Sequence, residues 1–508
     1  MKVRAGFFVH DDEPATSLDE SADQVIRLFD HEVSFERHGD CAAHRGDYVW
    51  AKGDVWDEPA VHHVELDSID AGLLQGLALV AEPSKIGRQN RGGDLYLWCG
   101  NGRHRPQYGG VNEVELTVDR IAVGGKGLGL DTDGRATFVA GSIPTERVVA
   151  KLTKQKKRFA EGEAVRVLSA STDRVTPPCP HTVGEQRCGG CDWQFVSAEG
   201  QRRLRVALVE DSLRRIGKLD TSQIAIASGP ALPLFGYRTA VRMLVGPDGR
   251  LAYRQRGTNR GFVPPDCGIV HPDLEALIIG VRCPGASEAS LRVSQSSGEA
   301  SIVVDAAPDR VVAPGHAVVS VAGDRARHIT ETIDGVDLQI SAGAFFQSSA
   351  IGAELLVAQV RHGLEGVDQT GVLVDAYSGG GLFTATIGRQ WHDAGGRVLA
   401  VESSPAAVAD ARINAPFAEH VESRVEAWQS SAADAVIADP ARSGLESGGV
   451  ETVVETGATR VVLVSCDAGA LGRDAGLLCE AGYRITNVVV LDLFNQTSHV
   501  EVVTTFER

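Results

Sequence analysis

Between residues 343 and 506 short, β-branched apolar runs alternate with helix-length segments, and few architectures accept that alternation. A run of about four to six apolar residues with no polar interruption reads as a strand buried on both faces. Strands separated by helices make βαβ units and a mostly parallel sheet. Each run ends in chemically useful residues. Run 371–377 ends in Asp375 and Tyr377, run 397–402 in Glu402, run 435–440 in Asp439, and Val-Val-Leu-Val-Ser in Cys466. Ligands of open parallel sheets bind beyond the carboxyl ends of the strands. Four strands delivering Asp, Glu, Asp and Cys to one edge therefore describe an active site containing a nucleophile. A free Cys is most often a packing residue. At a strand end, beside a polar crevice, it is usable through its thiolate.

A length of 508 residues predicts two to four domains, and an apolar fraction of 43% suffices for ordinary cores. No apolar stretch reaches the roughly 18–20 residues of a membrane span. The N-terminus turns acidic within a few residues, which makes a poor signal peptide. Nine unevenly spaced cysteines do not suit a disulfide framework. A cytoplasmic, reducing setting with cysteines kept for metal or chemistry is expected, as is a monomer without membrane contact. The charge is unevenly distributed. Residues 1–110 carry about −8, 111–270 about +7 and 271–508 about −16, within a net −17. Charge runs are usually solvated faces. Three basic clusters in one segment also suit a nucleic-acid surface, because phosphate contacts are local. They are Lys151, Lys154, Lys156, Lys157 and Arg158; Arg202, Arg203, Arg205, Arg214 and Arg215; and Arg238, Arg242, Arg254, Arg256 and Arg260.

Residues 1–110 are unassigned. Hydrophobic periodicity is weak, 101–110 reads as a linker, and a small appended domain, a disordered extension and translated upstream sequence all fit. The first strand expected with assurance begins at Val111. Strands at 113–121, 136–139, 147–152 and 164–169, with the Gly124–Gly129 turn cluster, predict a small OB-like barrel over 111–170. Residues 198–216 predict a helix with Leu204, Leu208, Leu213 and Ile216 on one face and arginines on the other. Segment 171–340 predicts an α+β module with strands such as 239–245 and 301–304, and 341–508 the α/β domain.

Asp375-Ala-Tyr-Ser-Gly-Gly-Gly-Leu-Phe-Thr follows a strand and opens a helix. Glycines there, Gly379 among them, let the backbone approach a cofactor. Glu402, ending the next strand, can accept both hydroxyls of a ribose, which suits S-adenosylmethionine as well as a dinucleotide. A tight turn beside an exposed acid is the plainer alternative. Cys188 and Cys191 form a C-x-x-C with glycines between them; Cys179 precedes it and Cys267 lies in Pro-Pro-Asp-Cys-Gly-Ile-Val. Four thiolates suit zinc or a cubane iron–sulfur cluster, and the spacing does not choose. The radical-enzyme spacing C-x3-C-x2-C is absent.

From about residue 112 onward the chain resembles the bacterial TRAM-domain, iron–sulfur, S-adenosylmethionine-dependent RNA 5-methyluridine methyltransferases. Residues 114–170 resemble the TRAM barrel, and Cys179, Cys188, Cys191 and Cys267 the cluster site. Phe235-Gly-Tyr-Arg resembles the central Tyr-Arg strand, and Phe345-Phe-Gln347 the Phe-x-Gln cofactor motif. Asp439-Pro-Ala-Arg-Ser-Gly resembles Asp-Pro-Pro-Arg-x-Gly. Ser465-Cys466-Asp-Ala, with Arg473-Asp474 behind it, resembles the Ser-Cys-Asn-Pro nucleophile loop. Asp492-Leu-Phe-Asn-Gln-Thr-Ser-His-Val-Glu501 resembles the terminal Asp-x-Phe-Pro-x-Thr-x-His-Val-Glu. The departures are a longer gap after Cys179, Asp467-Ala468 for Asn-Pro, Ala441 and Asn495 for prolines, and Ser378 where a Cys is common.

The resemblance implies a fold and a chemistry. The fold is α/β: a class I S-adenosylmethionine methyltransferase domain with a Rossmann-like sheet, preceded by a TRAM (OB-like) β-barrel and a central α+β domain. The chemistry is methyl transfer to C5 of a uridine in ribosomal or transfer RNA, with Cys466 adding to C6 and Glu501 as base. Gln347, Tyr377, Glu402, Asp439, Asp375 and Gly379 would serve S-adenosylmethionine or orient the uracil. The cysteines would hold a [4Fe–4S] cluster that braces the fold. A nucleic-acid cytosine-C5 methyltransferase and a non-catalytic RNA-binding iron–sulfur protein are the alternatives. The terminal His-Val-Glu disfavours the first, and intact Cys466, Glu501 and Asp439 the second.

Overall fold

The computed structural model describes strands Lys2–Val9, Ser34–Phe35, Tyr48–Asp54 and Leu77–Ala78, and residues 113–508 apart from 183–186, 265, 316, 322–323 and 325–326. Residues 1–110 and 111–508 are separate units. In the first, Lys2–Val9 pairs antiparallel with Tyr48–Asp54, from Lys2↔Asp54 to Phe8↔Tyr48, so strand structure begins well before Val111. The linker reading at 101–110 lies outside the described residues.

The second unit is organised by one eight-stranded sheet. Its strands are β1 (Ile226–Ala231), β2 (Val372–Ala376), β3 (Arg397–Glu402), β4 (Glu419–Glu422), β5 (Ala435–Ala438), β6 (Arg460–Ser465), β7 (Arg484–Asp492) and β8 (Glu501–Glu507), in spatial order β1-β7-β8-β6-β5-β2-β3-β4. All neighbours are parallel except β8, which is antiparallel to β6 and β7. The strand order reverses between β2 and β5, the place where crevices open in doubly wound sheets. Helices α1 (Ala198–Arg215), α2 (Ala350–Gly363), α3 (Leu382–Thr386), α4 (Gly388–Asp393), α5 (Pro405–Asn414), α6 (Glu446–Glu455) and α7 (Ala468–Glu480) belong to the same unit.

The apolar runs are explained by burial on both faces. Leu373, Ile437, Val462 and Val464 enter one core, and Val374, Val436, Val461 and Leu463 the other, as the two-residue strand period requires. Each such side chain contributes about 1.5–3 kcal/mol on full burial. Nothing local marks β1 as a strand, because Gly229 and Pro230 interrupt it. It pairs with β7, and a Cβ on Gly229 would lie 2.6 Å from Val489 Cγ1.

Residues 113–169 form a six-stranded sheet with a small core of Leu116, Val118, Val139, Val148 and Ala150. The run expected at 113–121 divides into Glu113–Thr117 and Arg120–Ala122. The central module is a second six-stranded sheet, including Ala240–Val245 and Ala300–Val304, with helix Pro272–Gly280 against it.

One reading of α1 is corrected. Arg205 is not on a basic outer face; it is fully buried beside Leu204 and Leu208, paired with Asp492. Arg202 also pairs with Asp492, Arg203 with Asp173, and Arg214 and Arg215 with Asp211. Ile216, expected on the apolar face, is 43% exposed. Each of these five arginines thus has a carboxylate partner, with Asp492 and Asp211 each serving two of them.

Candidate active site

The site is built where β2, β3, β5 and β6 end. Register places Asp375 opposite Ile437 and Ala376 opposite Ala438, so Asp439 stands just beyond Asp375. Cys466 follows β6 directly. Because β8 runs backwards, its first residue and not its last reaches this edge: Ser465 pairs with Val502, which puts Glu501 across from Cys466.

These groups also act on one another electrostatically. Half-buried Cys466 is pushed up to about 12, first by burial and then by the negative charges of Glu501 and Asp439, with Arg442 opposing. Glu501 is buried and held well above the carboxylate range by burial and by Asp439. Asp439 keeps part of its surface open, yet desolvation still carries it to about 7. Asp375 is fully buried and also pushed to about 7, by desolvation and then by Asp439 and Glu402, against a hydrogen bond from Thr384. Asp439 thus connects the thiol side of the site to the Asp375–Glu402 side.

The glycine loop sits on the second side. Tyr377, Gly379 and Gly381 have φ of 61°, 53° and 89°. Left-handed backbone at Tyr377 is costly for a bulky residue. Its hydroxyl oxygen lies by Gly449, where a Cβ would come within 2.6 Å of it, and the hydroxyl donates to Glu426 at 2.7 Å. Glu402 accepts from the Gly379 N–H at 3.0 Å and the Ser404 N–H at 2.7 Å. The space a Gly379 side chain would enter is open, and Asp375 Oδ1 is buried without a hydrogen-bond partner among the described residues. Open space at Gly379, the Glu402 carboxylate on its N–H and an unsatisfied buried acceptor on Asp375 suit a polar cofactor. Gln347, which precedes these residues in the chain, is half-buried. Arg292 donates to its carbonyl at 2.7 Å and to that of Phe346 at 2.8 Å.

The two reactive loops are locked from behind. Asp474, fully buried on α7, accepts from the Leu445 N–H at 2.8 Å, and Arg473 donates to the Ser443 carbonyl, which ties the Asp439 loop to the helix after Cys466. The Phe494–His499 turn before Glu501 is held from several sides. Asp192 accepts from Ser498 N–H at 2.8 Å, the Trp193 N–H donates to Gln496 O at 3.0 Å, and Tyr237 donates to Asn495 O at 2.8 Å. Asp192, Gln201 and Arg205 carry no motif signal. Arg205 reads as one more exposed cation until its burial is seen.

The four cysteines are free and half-buried. Desolvation pushes Cys188 and Cys267 up and Cys191 to about 12, and the charge of neighbouring cysteines adds to these three shifts. The Gly190 N–H points at Cys188 Sγ, 3.4 Å away. Among the described residues no three His, Cys, Asp or Glu side chains are arranged to hold one metal ion. No described helix is long and apolar enough to cross a membrane.

No family model matches the chain. Curated relatives do. It is 31% identical over 430 residues to a Streptomyces avermitilis protein described as an uncharacterized RNA methyltransferase, covering 78% of this chain and 98% of that one. It is 30% identical over 430 residues to the 23S rRNA (uracil(1939)-C(5))-methyltransferase RlmD of Chromohalobacter salexigens, covering 76% and 87%. The chain belongs to this family of RNA methyltransferases. Its fold is shared with the crystal structure of Pyrococcus abyssi tRNA (uracil-54, C5)-methyltransferase in complex with S-adenosyl-L-homocysteine. That likeness has a TM-score of 0.58 and 22% identity, over 77% of this chain and 99% of that one.

Proposed function

We propose that this enzyme transfers a methyl group from S-adenosylmethionine to C5 of a uracil in RNA. The observation that carries the reading is the meeting of Cys466, Asp439 and Glu501 at one sheet edge, beside the Asp375–Gly379–Glu402 cleft. The likeness to RlmD, named for 23S rRNA, supports ribosomal RNA as the substrate class. C5 of uracil is a weak nucleophile. Cys466 gives its proton to solvent and adds as the thiolate to C6, and the C5–C6 electron pair becomes an enolate. When bound, S-adenosylmethionine supplies the electrophilic methyl group, and the enolate carbon displaces it from the sulfonium. Glu501, in its ionised form, then takes the C5 proton, the double bond re-forms and the Cys466 sulfur leaves as thiolate. Asp439 holds the uracil or the cofactor between the two sides, Tyr377 and Glu402 line the adenosine side, and Gln347 adds to the cofactor set. The uracil must leave any stack to reach Cys466, so base flipping is part of the reading.

Cys179, Cys188, Cys191 and Cys267 are in this reading the ligands of a [4Fe–4S] cluster, all four being free and half-buried. A cubane takes each thiolate on a different iron, and Cys191 lies within electrostatic reach of Cys179, Cys188 and Cys267. The role of the cluster in this reading is to brace the fold around Cys191–Trp193, and residues 113–169 serve as the TRAM-like RNA platform.

The test is methyl transfer to RNA followed by mapping of 5-methyluridine, with a cytosine-only oligonucleotide as control. Cys466→Ala abolishes transfer and leaves cofactor binding intact. Glu501→Gln lets the methyl arrive but traps the covalent Cys466–RNA adduct, a slow, nuclease-sensitive band on a denaturing gel. Methylated cytosine, or normal turnover by Cys466→Ala, overturns the reading. Anaerobically purified protein is expected to carry about four irons. Cys267→Ser loses them and Cys283→Ser does not; stoichiometric zinc without iron refutes the cluster.

A further inference from the structure

Arg205 is a buried cation that the reaction as written does not use, and its hydrogen bonds converge on one short segment. Nη1 donates to Asp492 Oδ1 at 2.7 Å, Nε to the His499 carbonyl at 3.1 Å, and Nη2 to the carbonyls of Phe494 at 3.0 Å and Thr497 at 2.9 Å. The side chain has no exposed surface. All three guanidinium nitrogens are thus engaged within residues 492–499, immediately before Glu501. Its helical neighbour Gln201 completes the clamp. Gln201 Oε1 accepts from the Gln496 N–H at 2.9 Å and from Arg205 at 3.3 Å. Gln496 has a φ of 69°, a left-handed conformation that persists only where surrounding contacts enforce it.

A buried guanidinium must satisfy its N–H donors somewhere; here every partner except Gln201 lies in one turn. β7 and β8 are already paired from Arg484↔Glu507 to Leu491↔Glu501, and Asp492 retains a second partner in Arg202 at 2.7 Å. What the fork adds is a fixed path for the eight residues that separate Asp492 from Glu501. Only a planar guanidinium can hold a carboxylate and three separate carbonyls at once; an ammonium at the end of a flexible stem cannot.

We propose that Arg205 is the positioning residue for the base. Helix α1 fixes the 492–499 turn through it and thereby holds Glu501 against the C5 proton. This rests on the reading of Glu501 as base. A displacement of about 1 Å can cost about 100-fold in rate, so the expected defect is kinetic and confined to one step.

The experiment compares Arg205→Lys, Arg205→Gln and Glu501→Gln in the full chain with a short uridine-containing RNA and S-adenosylmethionine. Three quantities are read: cofactor affinity, methyl incorporation in a single turnover, and covalent adduct on a denaturing gel. Both Arg205 variants are expected to bind cofactor within about twofold of the parent and to incorporate the methyl group. Turnover then falls about 10- to 100-fold, with the adduct that marks Glu501→Gln. Lysine keeps the charge but not the fork, so it should not rescue. Adduct with Glu501→Gln but none with either Arg205 variant overturns this proposal alone. Rescue by Arg205→Lys also overturns it, since charge would then suffice. Absence of adduct with Glu501→Gln removes the base assignment, and the proposal with it. An equal loss of cofactor affinity and methyl incorporation in the Arg205 variants points to a general packing role and overturns it too.

Discussion

At the scale of single residues the site is a cluster of acids whose protons are held more tightly than usual. Asp375 shows the consequence for stability. Its folded pKa is about 7 against an ordinary value of 3.8, so the folded state binds the proton more tightly than the unfolded chain. Stability from that proton is fully present below about pH 4 and is lost as pH rises through about 7. Asp375→Asn keeps an acceptor for Thr384 and cannot ionise. It should match the parent near pH 4 and exceed it by about 1–3 kcal/mol at pH 8 in urea denaturation. An equal effect at both pH values would contradict this. Cys466 gives a second expectation. Its thiol is raised to about 12, so alkylation by iodoacetamide should climb about tenfold per pH unit between about pH 7 and 10. Asp439→Asn removes an opposing charge and should speed alkylation roughly two- to fivefold, and Arg442→Ala should slow it by a similar factor. Peptide mass spectrometry at Cys466 reads both, and unchanged rates would show that neither charge faces the sulfur.

At the scale of elements the Gly124–Gly125 turn of the small β-module matters more than its length suggests. Gly125 has a φ of 74°, and a Cβ there would lie 2.2 Å from Ser498 Cβ, inside the turn that precedes Glu501. Its carbonyl accepts from the Trp193 indole at 3.1 Å. Gly124 has a φ of 84° and open space where a side chain would go. The pair separates conformation from contact. Gly124→Ala should cost about 1 kcal/mol through backbone strain alone. Gly125→Ala should cost about 1–3 kcal/mol more and lower turnover, because Ser498 must move. Equal urea midpoints for the two variants would show that the turn does not bear on the loop. Element identity was largely legible in the sequence. The run expected at 435–440 is β5, that at 397–402 is β3, and the helix expected at 198–216 is α1. β1 was not legible, because its pairing depends on the edge that β7 offers and not on its own residues.

At the scale of the molecule, residues 1–110 and 111–508 are separate units, and every site residue lies in the second. A chain beginning at Val111 should unfold cooperatively and methylate RNA at the parent rate. Loss of soluble protein or of activity would show that the first unit contributes. The sequence by itself determined the alternation of strands and helices, the polar strand ends and the glycine loop, because these follow from local periodicity and backbone sterics. It also marked Cys466, Glu501 and the four cysteines through motif resemblance. Only the tertiary structure decided that Glu501, at the start of a strand, joins residues at the ends of others, since that depends on β8 running antiparallel. The tertiary structure alone also turned Arg205 inward. A charge on a helix is read as exposed by default, and Asp492 and the three carbonyls that reverse this lie almost 300 residues away along the chain.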